Sequence, residues 1–375
     1  MLWCLGEHYF LTGDSLWLSR VAPSLVAGCD WVARQRRNTT GPLPHSRGWE
    51  RGFLPAGSLE DVTDFHYWLS TNALTWRGLD TAAGALAAIG HPEAARLRRE
   101  AAAYREDLVR GFETMRRRSP LVRLRDGRWV PHYPARLYRR GRDVGWIREV
   151  LEGPVHLLTT GLFGARTPQA DWILDDYQDN LYAEPPFGYP IADFEADWFD
   201  RGGISIQPNL LAGLMPHLDR DEPEAFLRMF FNAWCACYRE EIGAMVEHPN
   251  PALGYSSAAH FKTSDESNAI AWLRAMFVYE SESLLHIGRS VPREWFARAE
   301  PMETSGVCTR YGTMGVRYAA EEGCRRITAT LDLEFRSRPD SVLVRFRHPD
   351  RLPLRAVRVN GAPWSAFDPQ RNDVI

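Results

Sequence analysis

The sequence predicts a mostly α-helical protein built of helical hairpins, followed by a small antiparallel β-sandwich-like module. Three observations predict it. Four stretches run from an apolar helix end, through a short Gly or Asp break, into a new helix: "LTGDSLWLSR" from Leu11, "AIGHPEAARL" from Ala88, "LDRDEPEAFL" from Leu218 and "HIGRSVPREW" from His286. Between such breaks, apolar residues recur at helical spacing. After about Met302 the pattern changes to alternation and β-branched runs.

Each break has a physical reading. Gly ends a helix without a Cβ penalty, Asp or Ser caps the next helix, and Pro92 and Pro223 suit a first helical turn. The breaks therefore read as tight turns of αα-hairpins. Leu69, Ala73, Trp76, Leu79, Ala83 and Leu86 form one apolar face. Ala94, Leu97, Ala101, Tyr104, Leu108 and Phe112 form the face of its partner. A third stripe runs Phe226, Met229, Phe230, Trp234, Cys237, Tyr238 and Ile242. Further helices are expected near 146–162, 169–180, 208–218 and 266–287, with long connections at 37–64, 119–145, 182–206 and 248–264. Connections of that length are usually functional. "TRYGTMGVRYA", "RRITATLDLEF", "DSVLVRFRHP" and "LRAVRVNG" read as strands. The division expected is a helical domain over 1–300 and a β module over 301–375. The chain starts inside a helical pattern and stops on "NDVI", a strand without continuation, so a chain cut at both ends is expected.

Composition narrows the function. A net charge of −3 gives no global footprint for nucleic acid. No run of about 18 apolar residues predicts a membrane span. The first residues, "MLWCLGEHYF", carry no basic flank, long apolar stretch or cleavage site of a signal peptide. The six Cys contain no CxxC pair, so neither a metal set, a disulfide framework nor a cofactor is expected. Only Lys262 is Lys among the 45 basic residues, which reads as genome composition. The 14 Trp are an excess that suits a broad core or a site for flat ligands. No GxGxxG after a strand, P-loop, HExxH or GxSxG occurs, so phosphate, zinc-protease and esterase chemistries have no motif.

Repeated hairpins with long loops and a β-sandwich-like tail resemble the six-hairpin glycosidases. The stretches that carry the likeness are "GEHYFLTGDSLWLSRVAPSLVAGCDWVARQRR" and "LPAGSLEDVTDFHYWLSTNALTWRGLDTAAGALAAIGHPEAARLRREAAAYREDL". The resemblance covers roughly Met1–Gly288, rests on layout, and is nearest to rhamnosidase-like or related hydrolases. It implies an (α/α)6 toroid with its loops gathered at one end. Such a toroid needs about twelve helices, whereas periodicity finds about nine or ten, which again points to a missing N-terminal portion.

Glycoside hydrolysis needs one carboxyl that holds a proton and one that is ionised. Sugars also present apolar faces that aromatic rings cover. Four clusters meet parts of that demand. "GFLPAGSLEDVTDFHYWLSTN" (52–72) packs Glu60, Asp61 and Asp64 before His66, Tyr67 and Trp68. Asp64 also reads as the cap of the helix that follows, and the aromatic residues as core or rim. Trp49, just upstream, joins the substrate-binding candidates. "YAEPPFGYPIADFEADWFDRGGISIQPNL" offers Asp193, Glu195 and Trp198, with Gln207 and Asn209 for hydroxyl groups. Alternate acids there equally suit a solvated loop or a Ca²⁺ loop. "MVEHPNPALGYSSAAHFKTSDESN" offers Glu247 and His248 at an expected helix end, then Tyr255, with Asp265 as a cap. The basic stretch from Met115 to Arg148 reads as a solvated loop or hairpin, or as a wall for a uronate.

The expected function is therefore a glycoside hydrolase acting on a carbohydrate. Glu60 or Asp61 would be general acid and Glu195 or Glu247 base or nucleophile, with the roles open to reversal. A uronate-specific polysaccharide lyase using His248, Tyr255 and the basic loop is the alternative, and a non-catalytic glycan binder or inactive fragment is the third reading.

Overall fold

The computed structural model describes residues 1–41, 46–59, 62–143, 147–181, 212–246, 249–250, 255–256, 263–281, 283–298 and 300–375. Among them nine α-helices accompany several small sheets, so the architecture is mixed helix and sheet. Contacts divide the chain into two compact units. The first is Met1–Tyr9, Asp14–Pro216 and Phe231–Glu266; the second is Phe10–Gly13, His217–Phe230 and Ser267–Ile375.

Helices α1 (Leu2–Thr12) and α2 (Ser15–Arg37) meet at Gly13 and Asp14. The Asp14 carboxylate accepts the Trp17 amide at 2.8 Å, the cap its position predicts. Helices α3 (Leu69–Ala88) and α4 (Ala94–Arg116) form the second hairpin, turned by Gly90 at φ 70°. All twelve residues of the two apolar faces read from the sequence are buried. Arg36 joins α2 to α4: its guanidinium pairs with Glu100, reaches Asp107 at 2.7 Å and the Gly52 carbonyl at 2.7 Å, and lies 4.2 Å over the Tyr104 ring.

Four sequence expectations need correction. The segment before α3 holds an antiparallel strand pair, β1 (Gly57–Leu59) with β2 (Val62–His66). Asp64 lies in β2 and caps nothing; α3 begins after Trp68 with no side-chain cap. The third stripe does not stay helical to Ile242. Its helix is Pro223–Cys237, and Tyr238–Arg239 pairs with Ala244–Met245 across a turn holding Gly243 at φ 63°. Two Glu near a helix C-terminus oppose the helix dipole, and Gly takes the left-handed turn at low cost. Glu247 therefore follows a strand pair, not a long helix.

The fourth correction concerns 266–287. Its helix, Thr263–Phe277, stops early, and Val278–Ser281 and Leu284–Ile287 are antiparallel strands. They belong to a five-stranded sheet in which Leu284–Ile287 pairs in parallel with Ser341–Arg345. "HIGRSVPREW" accordingly follows a strand, and the β region is not wholly antiparallel. The second sheet of this unit is antiparallel as expected: Met302–Thr309, Gly312–Ala320 and Ile327–Phe335.

Candidate functional site

The described part of the site grows from one short pairing in the first unit. The chain leaving β2 runs extended beside Ala135–Leu137: Leu69 N–H donates to the Ala135 carbonyl at 2.8 Å and Leu137 N–H to the Tyr67 carbonyl at 3.1 Å. Extended backbone sends successive side chains to opposite faces. His66 and Trp68 share one face, where their rings meet edge-on at 5.3 Å and Arg136 lies 5.7 Å over Trp68. Tyr67 takes the other, 6.4 Å from Tyr138. Tyr138 sits at φ 67°, a left-handed conformation that costs a non-Gly residue energy and interrupts the alternation.

The Tyr67 face is an aromatic and acidic cluster. Trp49 stacks on Tyr138 at 4.9 Å, with Arg118 at 4.6 Å and Arg47 at 5.2 Å from the Trp49 ring. The Tyr138 hydroxyl donates to Glu50 and accepts the Arg47 amide at 3.2 Å. Burial would raise the Glu50 carboxyl, but hydrogen bonds from Ser46 and Tyr138 outweigh it and hold the group below its ordinary value. Burial and the Glu50 charge push the Tyr67 phenol up.

The Trp68 face opens into a cleft of about 230 Å³, lined by Trp31, Gln35, Leu54, Pro55, His66 and Trp68 among others. Its volume lies below the ~300 Å³ at which most small-molecule sites begin, so it suits a single ring. Asn72 borders it but is fully engaged: its carbonyl oxygen accepts Leu54 N–H at 3.0 Å and the Tyr104 hydroxyl at 2.8 Å, and its amide donates to the Trp68 carbonyl at 2.7 Å. The Trp68 indole donates to the Gly57 carbonyl at 2.8 Å. Burial, then Arg136, lower the His66 imidazole, which keeps it neutral near pH 7. Asp64 faces outward and pairs with Arg148 at 2.8 Å.

Beyond Arg136 lies a buried charge network. Arg136 pairs with Asp143, whose N–H donates to Glu149 Oε2 at 2.9 Å. Glu149 Oε1 is 3.3 Å from His132 Nε2, and Asp176 Oδ2 is 3.3 Å from His132 Nδ1. Arg142 approaches both carboxyls. Burial is the largest influence on Glu149 and raises it, against His132, the Asp143 amide and Arg142. Burial also acts on Asp176, but its bonds to His132 and Arg142 prevail and lower it. One carboxyl is thus biased toward the protonated form and its neighbour toward the ionised form, a division that acid–base sites use. All three side chains are almost wholly buried, so the network stiffens the segment bearing Arg136 and offers no surface to a substrate.

Of the residues singled out from the sequence, His66 and Trp68 line one face, and Trp49 and Tyr67 meet through Tyr138 on the other. Glu60, Asp61, Glu195, Glu247, Asp193, Trp198, Gln207, Asn209 and His248 lie outside the described residues. Tyr255 lies in a two-residue strand that pairs with Pro249–Asn250. Sequence reasoning missed Trp31, Gln35, Glu50, Tyr138, His132, Glu149 and Asp176. Only Glu50, directly after Trp49, carried a local signal, as an acid among aromatics. Among the described residues no group of three or more His, Cys, Asp or Glu is arranged to hold a metal ion, and no helix is long and apolar enough to cross a membrane. No protein-family model matches the chain, and no curated protein matches it.

Proposed function

We propose that the protein is a glycoside hydrolase whose helical hairpins form part of an (α/α)6 toroid. The observation that carries this reading is the Trp-lined cleft, to which Gly57 of β1 and His66 of β2 contribute; Glu60 and Asp61 fall between those strands in the sequence. Trp31 is about half exposed there, so a sugar's apolar face can cover it. The neutral imidazole of His66 can donate and accept hydrogen bonds with hydroxyl groups. Glu60 or Asp61 supplies the general acid and Glu195 or Glu247 the second carboxylate. The uronate-lyase reading, with His248 or Tyr255 as base, gains an arginine-flanked Trp49 but no base from the Tyr138 beside it. Burial and the Glu50 hydrogen bond both raise the Tyr138 phenol, which resists deprotonation.

The test is turnover of chromogenic glycosides and natural oligosaccharides by the parent chain, beside Glu60→Gln, Asp61→Asn, Glu195→Gln and Glu247→Gln. Loss of activity by about 10²-fold or more in two folded variants identifies the pair. Trp31→Ala raises KM roughly tenfold by removing apolar contact. Activity retained in all four carboxyl variants overturns the residue assignment. Glycan binding by a folded parent that turns over no substrate identifies a binding protein instead, and a rise in ultraviolet absorbance on uronate polymers identifies a lyase.

A further inference from the structure

In the second unit, the parallel strands Leu284–Ile287 and Ser341–Arg345 lead into a group of arginines. Arg345 is neutralised: it donates to Asp373 at 2.6 and 2.7 Å and to Asp221 at 2.5 Å. Arg289 lies 3.5 Å from Asp221. Three other guanidinium groups are not balanced in this way. Arg347 is 2% exposed; its NH1 donates to the Arg289 carbonyl at 3.3 Å, and its Nε has no hydrogen-bond partner. Arg293 is half-buried, donates from NH1 to the His348 carbonyl at 3.1 Å, and likewise holds a buried Nε without a partner. The Arg351 side chain is 68% exposed.

Among the described residues one carboxylate oxygen lies within 4 Å of these guanidinium groups, and Glu294 acts more weakly on Arg293. Glu224 Oε1 lies 3.5 Å from Arg347 and 3.6 Å from Arg351, both longer than a charge-assisted hydrogen bond. Glu224 is itself about half exposed. Burial, then the Arg293 charge, pull the Arg347 guanidinium down to about 10. Burial, then Arg351, lower Arg293. Like charges held this close, with donors left over, match a missing anion rather than a finished ion pair.

We propose that Arg347, Arg293 and Arg351 form a binding site for a dianionic phosphoryl group, which displaces Glu224 from the cluster. The buried Arg347 is the floor, Arg293 the wall and the exposed Arg351 the rim. Planar guanidinium forks match phosphate oxygens bidentately, and two negative charges answer the excess better than one. The site is independent of the glycosidase reading.

The test is calorimetric titration of the full chain with inorganic phosphate at constant ionic strength, with glycerol 2-phosphate and acetate in parallel. Saturable one-to-one uptake of phosphate is expected, with acetate far weaker. Arg351→Gln, at the exposed rim, weakens phosphate about tenfold, as loss of a charge-assisted contact should. Glu224→Gln tightens it, because the internal competitor is gone; a purely structural pair would show no such gain. A monoester binding at least as well as phosphate identifies an organic phosphate as the ligand, and phosphate binding alone identifies the free anion. No saturable phosphate uptake by the parent or by Glu224→Gln overturns the proposal. So does an affinity indifferent to both Arg351→Gln and Arg293→Gln, or acetate binding equal to phosphate.

Discussion

At His132 two carboxyl groups meet opposite ring nitrogens of one imidazole, and their surroundings drive their acidities apart. The folded Glu149 carboxyl lies above its ordinary 4.5, so the folded state holds its proton more tightly than the unfolded chain. Its contribution to stability is present at low pH and is lost as the pH rises from 4.5 through the raised folded value. Asp176 has the reverse sign: its contribution is present above 3.8 and is lost as the pH falls through the lowered folded value. Glu149→Gln should therefore flatten the fall in stability above pH 4.5, as urea unfolding at a series of pH values will read. An unchanged profile would show that Glu149 is ionised at little cost. In the second unit, burial, then Arg289 and Arg345, lower His286 from 6.5 to about 4. Its contribution is complete above 6.5 and is lost as the pH falls from there toward about 4. Histidine proton shifts in an NMR titration should place its midpoint near 4 and not near 6.5.

Between elements, stability rests on a few buried polar contacts that pin one segment to another. Arg36 binds α2 to α4 and to the chain at Gly52, with its charge removed from water. Arg36→Ala should cost about 3 kcal/mol in urea unfolding, since breaking one side of a buried pair strands its partners. Asp107 keeps Arg110 at 2.6 Å, which limits the loss. Gly153 is a second such point. A Cβ there would lie 2.0 Å from the Glu149 carbonyl and 2.4 Å from the Tyr177 hydroxyl. That hydroxyl donates to the Glu149 carbonyl at 3.0 Å. Tyr177→Phe should cost about 1 kcal/mol, and Gly153→Ala should cost more because backbone must move. Equal small effects would mean that the segment carrying Glu149 yields easily.

Across the whole molecule, the β region does not begin where the alternating pattern does. Strand Leu284–Ile287 needs Ser341–Arg345 beside it, and that partner lies more than fifty residues further along the chain. A chain ending at residue 300 would expose an unpaired edge of hydrophobic residues. It should show lower soluble yield and stronger binding of a hydrophobic dye than the full chain. A well-behaved 1–300 fragment would show that the pairing is dispensable.

The sequence by itself determined what depends on neighbours in the chain. It determined the α1–α2 and α3–α4 hairpins, the Asp14 cap, the buried faces of α3 and α4, and the strands Gly312–Ala320 and Ile327–Phe335 of the antiparallel sheet. In these, spacing, caps and Gly turns all point the same way, and the burial follows from the period of the helix. It singled out Trp49, His66, Tyr67 and Trp68 as site candidates, but not their division between two faces. Only the tertiary structure decided the rest. Val278–Ser281 and Leu284–Ile287 continue a helical pattern in the sequence, yet they form strands that pair with each other and, through Leu284–Ile287, with the distant Ser341–Arg345. No local pattern joins His132 to Glu149 and Asp176, or Arg293 to Arg347 and Arg351, because a buried charge is chosen by the partners that packing brings to it. Contacts of that kind are set by closure of the chain over long separations, which periodicity does not encode.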